Sequence, residues 1–186
     1  MQAKVINFFG GPGVGKSTTA AGVFHELKKR GIECEYVTEY AKDAVYDHHN
    51  ETLKNQFFVS AQQHHKIWRV INYYKKKDQD VIIITDSPLI TGLFYIQNQT
   101  EAYGFFSHFL LSEFIQMSDF PTEYKPINFI INRSTKYNPN GRNQTEEQAK
   151  EIDESILDFF DEYNLPCSLI NSDCCVKDLV DKILES

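Results

Sequence analysis

Gly10-Gly-Pro-Gly-Val-Gly-Lys-Ser-Thr18 fits the pattern G-x-x-x-x-G-K-[ST], with Gly10, Gly15, Lys16 and Ser17 in the four fixed places. A bare glycine-rich turn has no need of a Lys-Ser pair after its second fixed glycine, so the match points to a phosphate. The flanks agree. Lys4-Val-Ile-Asn-Phe-Phe9 is a short apolar run of strand type. Ser17 to Arg30 has helical spacing, and its basic residues crowd the last turn before Gly31, a glycine stop. Between a strand and a helix, the backbone N–H groups of Gly11, Gly13, Val14, Gly15, Lys16, Ser17 and Thr18 are expected to turn inward around a phosphate, helped by the positive end of the helix. The spacing assigns Lys16 to the β- and γ-phosphates of ATP and Ser17 to Mg²⁺. Such a loop serves fuel, switching or transfer, and the rest of the chain must say which.

Composition narrows the classes. A chain of 186 residues with 41% hydrophobic content suits one globular domain, expected over 1–186. No apolar run approaches a membrane span, and the first residues read as a strand rather than a signal peptide. Cys34, Cys167, Cys174 and Cys175 show no C-x-x-C spacing, which suggests reduced thiols in a cytoplasm. A net charge of −7 argues against a broad nucleic-acid surface, although a local basic groove is compatible with it.

Outward from the loop, strands and helices alternate. Glu33–Thr38, Val81–Thr85, Ile127–Ile131 and Ser168–Ile170 read as strands. Helices are expected over Tyr40–Asp47, Leu53–Lys77, Tyr103–Met117, a stretch from Thr145 to about Tyr163, and Val176–Leu184. Ser87-Pro88 reads as an N-cap with proline at the first helical position, and Thr145-Glu-Glu-Gln148 as a capping box. This order predicts an α/β three-layer fold: a mostly parallel five-stranded sheet with helices on both faces. Ligands of such sheets gather at the carboxyl ends of the strands. Those ends are Phe9 to Lys16, Glu39, Asp86 and Arg133.

Two acids follow two strands. Asp86 ends Val-Ile-Ile-Ile-Thr-Asp, the pattern of an acid that helps to hold Mg²⁺. Glu39 ends the second strand, beyond the γ-phosphate, where a hydroxyl acceptor needs a carboxylate to take its proton. A solvated turn acid is the plainer reading of either one, and it has more force for Glu39. The loop over 133–145 carries Arg133, Lys136 and Arg142 and reads as a lid that closes over phosphates, or more simply as a solvated basic loop.

With these residues in place the chain resembles the nicotinamide riboside kinase domain of NadR-type proteins and related small P-loop kinases of phages. The resemblance covers nearly the whole chain. It rests on the phosphate loop, "TEYAKDAV" (Thr38 to Val45), "QFFVSAQQHHKIW" (Gln56 to Trp68), "ITDSP" (Ile84 to Pro88), "NGRNQT" and "FFDEYNLPCSLINS" (Phe159 to Ser172). It implies transfer of the ATP γ-phosphate to a hydroxyl or phosphate of a nucleoside-like molecule, in a cytoplasm that includes that of a phage-infected bacterium. It also implies that Glu39 and Tyr40 face the acceptor, that Gln62 lies near it and that Arg142 belongs to the lid. The chain carries no counterpart of the adenylyltransferase or DNA-binding parts of NadR-type proteins, so the acceptor stays open between nicotinamide riboside and other nucleosides or nucleotides.

Other features read more plainly. His48-His49 and His64-His65 lack metal-ligand spacing and suit exposed or packing roles. Lys75-Lys-Lys77 suits a helix C-terminus better than a DNA contact. The aromatic-rich stretch from Phe94 to Phe129 could stack a base, although most of its rings are expected in the core. A GTPase switch would carry N-K-x-D where Asn132-Arg-Ser-Thr135 stands, and an AAA+ motor would carry a second acid where Ser87 stands. A kinase acting on DNA, and a nucleotide-binding module with no acceptor, remain open at this stage.

Overall fold

The computed structural model describes residues 1–95, 108, 112, 124–134, 137 and 145–186. Five parallel strands form one sheet: β1 (Ala3–Phe9), β2 (Cys34–Val37), β3 (Val81–Thr85), β4 (Tyr124–Asn132) and β5 (Ser168–Asn171), in the order β2-β3-β1-β4-β5. The central strand β1 pairs with β3 from Ala3↔Val81 to Asn7↔Thr85, and with β4 from Ala3↔Tyr124 to Phe9↔Ile130. The chain steps from β1 out to β2 and back to β3, then crosses to β4. The crevice at the carboxyl end of β1 is therefore the topological switch point, and the phosphate loop fills it.

The apolar runs follow from burial on both faces. On one face Ile6, Phe8, Ile82, Ile84, Phe129 and Ile131 meet Val23 and Leu27 of α1 (Lys16–Lys29) and Leu179, Val180 and Ile183 of α5 (Val176–Glu185). Val5 and Ile83 point the other way, onto Ile67, Ile71 and Tyr74 of α3 (Gln56–Lys76). Phe9 and Ile130 on that same side pack against Ile156 and Phe160 of α4 (Glu146–Glu162). Alternate strand residues thus serve different helices, and a strand of polar and apolar alternation could not do this.

Most expected elements are present, with shifted ends. The capping box of α4 is complete: Gln148 N donates to Thr145 Oγ1 at 3.3 Å, and Thr145 N donates to Gln148 Oε1 at 2.9 Å. The long helix expected from Leu53 starts only at Gln56. The Asn55 side chain accepts from Phe58 N at 3.1 Å and caps α3, while residues Asn50–Lys54 form a separate 3₁₀ turn. Ser87-Pro88 opens not an α-helix but a 3₁₀ segment, Leu89–Tyr95, with Thr91 N bonded to Pro88 O at 2.9 Å. Ser87 N is taken by Thr85 Oγ1 at 3.1 Å, so the turn after β3 is closed by the strand's own threonine. The helix expected over Tyr103–Met117 lies outside the described residues, apart from His108 and Ser112, which are helical. Among the described residues no helix is long and apolar enough to cross a membrane.

Candidate active site

The phosphate loop runs from β1 into α1 (Lys16–Lys29). Gly15 is the N-cap residue, at φ 104°, a conformation that a residue with a Cβ rarely adopts. It supplies no side-chain cap, and no acid stands in the first turn of α1. The positive end of a 14-residue helix is thus left for an anion, with Ser17 and Thr18 exposed beside it. Lys16 curls back over the loop, and its ammonium donates to Gly10 O at 2.6 Å and to Gly11 O at 3.0 Å. This holds its charge at the mouth of the cradle. The donor set fits a polyphosphate.

The base of the loop is clamped from the far side. Gly11 N donates to Asp153 Oδ1 of α4 at 2.5 Å. Asp153 also takes Arg133, through Nε at 2.9 Å and Nη2 at 2.8 Å, while Nη2 reaches Pro12 O at 2.9 Å. A Cβ at Gly11 would sit 2.4 Å from Ala149 O and 2.8 Å from Asp153 Oδ1, so only glycine lets helix and loop approach this closely. Arg133 was expected in the lid; the structure places it beneath the loop, its side chain only 10% exposed and paired with Asp153. Its Nη1 is buried without a partner among the described residues. Lys136 and Arg142 lie outside the described residues. Asp153 went unnoticed in the sequence, yet it carries a signal: it interrupts the buried stripe Ala149, Ile156, Phe160 of α4. Asp153→Ala strands a buried guanidinium, so it is expected to cost about 3–5 kcal/mol of stability, read by chemical denaturation. Asp153→Asn, which can still accept from Gly11 N, should cost less. Equal and small losses would show the clamp to be dispensable.

The two acids stand on neighbouring strand ends. Asp86, directly after β3, is 5% exposed. Its Oδ2 accepts from the Tyr36 hydroxyl of β2 at 2.9 Å, and its Oδ1 is buried without a partner among the described residues. Such an oxygen is costly unless something binds it, and a cation shared with the Ser17 hydroxyl suits it. Oxygens of this kind would suit Mg²⁺, a hard ion that takes few protein oxygens and shares the rest with phosphate and water. Burial, then the Asp86 charge, pushes the Tyr36 phenol above its ordinary value, so it remains a donor. Glu39 is the N-cap residue of α2 (Tyr40–Tyr46), half-buried at φ −61°, ψ 125°. Tyr40 follows it, its ring edge-on to Phe58 at 5.9 Å.

Gln62 is half-buried on α3. Its neighbour Gln63, which sequence reasoning passed over, is 4% exposed. Gln63 Oε1 accepts from Tyr40 N at 2.9 Å, and its Nε2 reaches Thr85 Oγ1 at 3.5 Å. It thereby ties the residue after Glu39 to the residue before Asp86. His48, His49, His64 and His65 are all exposed, with His65 stacked on Trp68 at 5.8 Å. The four cysteines are free, and burial pushes the Cys34 thiol up to about 11.

A family model described as an AAA domain matches residues 5–175, which span the loop, both acids and all five strands apart from the first two residues of β1. The chain belongs to this AAA-domain family. The matched stretch contains the glycine loop, Glu39 and Asp86. No curated protein matches the chain in sequence. Among solved structures, it is similar to deoxyadenosine kinase from M. mycoides, a structure with products dCMP and a flexible dCDP bound. The two share 18% sequence identity and a TM-score of 0.54, and the match covers 97% of each chain. This likeness establishes the P-loop kinase fold for the AAA-domain chain over nearly its full length.

Proposed function

We propose that this AAA-domain protein is an ATP- and Mg²⁺-dependent phosphotransferase whose acceptor is a hydroxyl or phosphate of a small nucleoside or nucleotide. The observation that carries the reading is the pair of acids at the ends of β2 and β3. Asp86 has a buried oxygen without a partner among the described residues, and Glu39 is a second carboxylate one strand away. A module that only binds nucleotide needs the first acid. A kinase needs both, one for the ion and one for the acceptor's proton.

Roles follow from position. The N–H groups from Gly11 to Thr18 and the Lys16 ammonium bind the polyphosphate, and Ser17 and Asp86 would hold Mg²⁺, which would supply positive charge to offset that of the phosphates. Glu39 takes the proton from the acceptor hydroxyl as its oxygen forms a bond to the γ-phosphorus, and ADP leaves. Tyr40 and Gln62 face the acceptor. Lys136 and Arg142, outside the described residues, are assigned to a lid that excludes water and adds cations to the transferring group, while Arg133 braces the phosphate loop at Pro12 O. Ser87 stands where an AAA+ motor would carry a second acid, which favours transfer over mechanical work.

Three observations support a small acceptor. The chain carries net charge −7, which works against the counterion release that drives nucleic-acid binding. Lys75, Lys76 and Lys77 end α3 next to Asp78, which pairs with the Met1 amino group at 3.1 Å. They therefore lie at the amino-terminal edge of the sheet, opposite the phosphate loop, and cannot extend a groove there. The neighbouring kinase structure holds nucleotide products, and the resemblance to NadR-type domains adds nicotinamide riboside to the candidates. The test is transfer of labelled γ-phosphate to nucleosides, nucleoside monophosphates, and single- and double-stranded oligonucleotides at low and moderate salt. Transfer to free nucleosides or monophosphates is expected. Transfer confined to oligonucleotides and falling steeply with salt would overturn the small acceptor.

A further inference from the structure

We propose that Tyr36 is the positioning residue of the ion site: its hydroxyl holds one oxygen of Asp86 so that the other is presented to the Mg²⁺ that accompanies the nucleotide. The inference rests on the assignment of Asp86 to Mg²⁺ made above.

The sheet dictates the meeting of the two side chains. Tyr36 of β2 is in register with Ile84 of β3, and Asp86 stands two residues beyond Ile84, on the same face. A long aromatic side chain reaches such a diagonal neighbour. The Tyr36 ring lies 6.2 Å from Phe24 of α1, and its hydroxyl donates to Asp86 Oδ2 at 2.9 Å, with the Ser17 hydroxyl close enough to act on it. One phenol thus touches both residues of the ion site without occupying Asp86 Oδ1, which is buried and has no partner among the described residues.

A tyrosine packed in a core also needs a partner for its hydroxyl, and any nearby carbonyl would serve. Here the partner is a carboxylate at the mouth of a phosphate loop. A carboxylate with both oxygens loose would rotate about its last bond. Fixing Oδ2 leaves one orientation, with Oδ1 turned to the ion. Groups that orient metal ligands in this way typically matter about 10- to 100-fold in metal affinity.

Tyr36→Phe removes one oxygen and keeps the ring against Phe24, and its ligand-free melting curve checks that the fold is intact. The measurement is ADP binding by calorimetry, in EDTA and across a Mg²⁺ series, with Mn²⁺ occupancy followed by electron paramagnetic resonance. In EDTA, Y36F should bind ADP as the wild type does. The Mg²⁺ concentration that gives half of the metal-dependent tightening should rise about tenfold. In an Asp86→Asn background, Y36F should shift it no further. An unchanged Mg²⁺ dependence with only a lower melting temperature would reduce Tyr36 to a core residue and overturn the proposal. So would a tighter Mg²⁺ response, which would make the phenol an obstacle. Neither ADP binding nor metal occupancy needs an acceptor, so failure of the phosphate-transfer screen and failure of this test are separate results.

Discussion

Lys16→Ala is expected to lower phosphate transfer by about two to three orders of magnitude, the effect of removing one preorganised charge from a transferring group. The ammonium rests on the carbonyls of Gly10 and Gly11, so its four-carbon stem is folded over the loop before any ligand arrives. It pays little reorganisation when a polyphosphate enters, and its charge is already aimed. The same geometry limits its part in stability. The two carbonyls it caps belong to a loop that other groups hold: Gly11 N by Asp153, and Pro12 O by Arg133. The ligand-free melting temperature of K16A should therefore stay near that of the wild type while transfer collapses. Lys16→Arg should not rescue it, because a planar fork cannot sit between two carbonyls as a compact ammonium does. Measured transfer by K16A close to the wild-type rate would remove the loop from catalysis and the kinase reading with it.

The sheet was legible in the sequence because its strands are buried on both faces. Val81–Thr85 has five buried residues in a row, a run that can be little else between two acids. The helix start at Thr145 was legible because a capping box is a local device, complete within four residues. Local devices also explain two misplacements. Asn55 caps α3 inside what reads as continuous helix, and Thr85 closes the turn that Ser87 was expected to cap. In both, a short polar side chain competes for a backbone N–H, and sequence alone does not show which one wins.

The candidate site divides along the same line. Glycine spacing and strand-end acids are properties of one segment, so Lys16, Ser17, Glu39 and Asp86 stand out. Tyr36, Gln63 and Asp153 act through partners 50, 22 and 142 residues away in the chain. Each looks like an ordinary residue of its element: a strand aromatic, a helix amide, a helix acid. Arg133 shows the reverse case. Its charge and its place after β4 suggested a lid, but its position under the loop depends on a carboxylate 20 residues on. Pairing across the fold gave it a partner that no spacing rule encodes.

The two acids should separate under mutation. Asp86→Asn is expected to raise the Mg²⁺ requirement for transfer at least about tenfold, since the amide removes the charge that faces the ion. Glu39→Gln should leave that requirement alone and lower the maximal rate by about 10²–10⁴, the usual worth of a general base. Stability supplies an independent check. A buried carboxylate oxygen without a partner opposes folding in the absence of ligand. The D86N amide carries no charge and can still accept from Tyr36. Ligand-free D86N should therefore melt above the wild type, yet gain less from Mg²⁺ with ADP. E39Q, which removes a half-buried charge from a helix N-cap, has no such strain to relieve and should melt no higher than the wild type. Rate against Mg²⁺ concentration, together with paired melting curves with and without Mg²⁺ and ADP, reads all of these at once. A raised Mg²⁺ requirement in E39Q with a plain rate loss in D86N would exchange the two assignments. It would make Glu39 the ligand and leave Asp86 to take the proton.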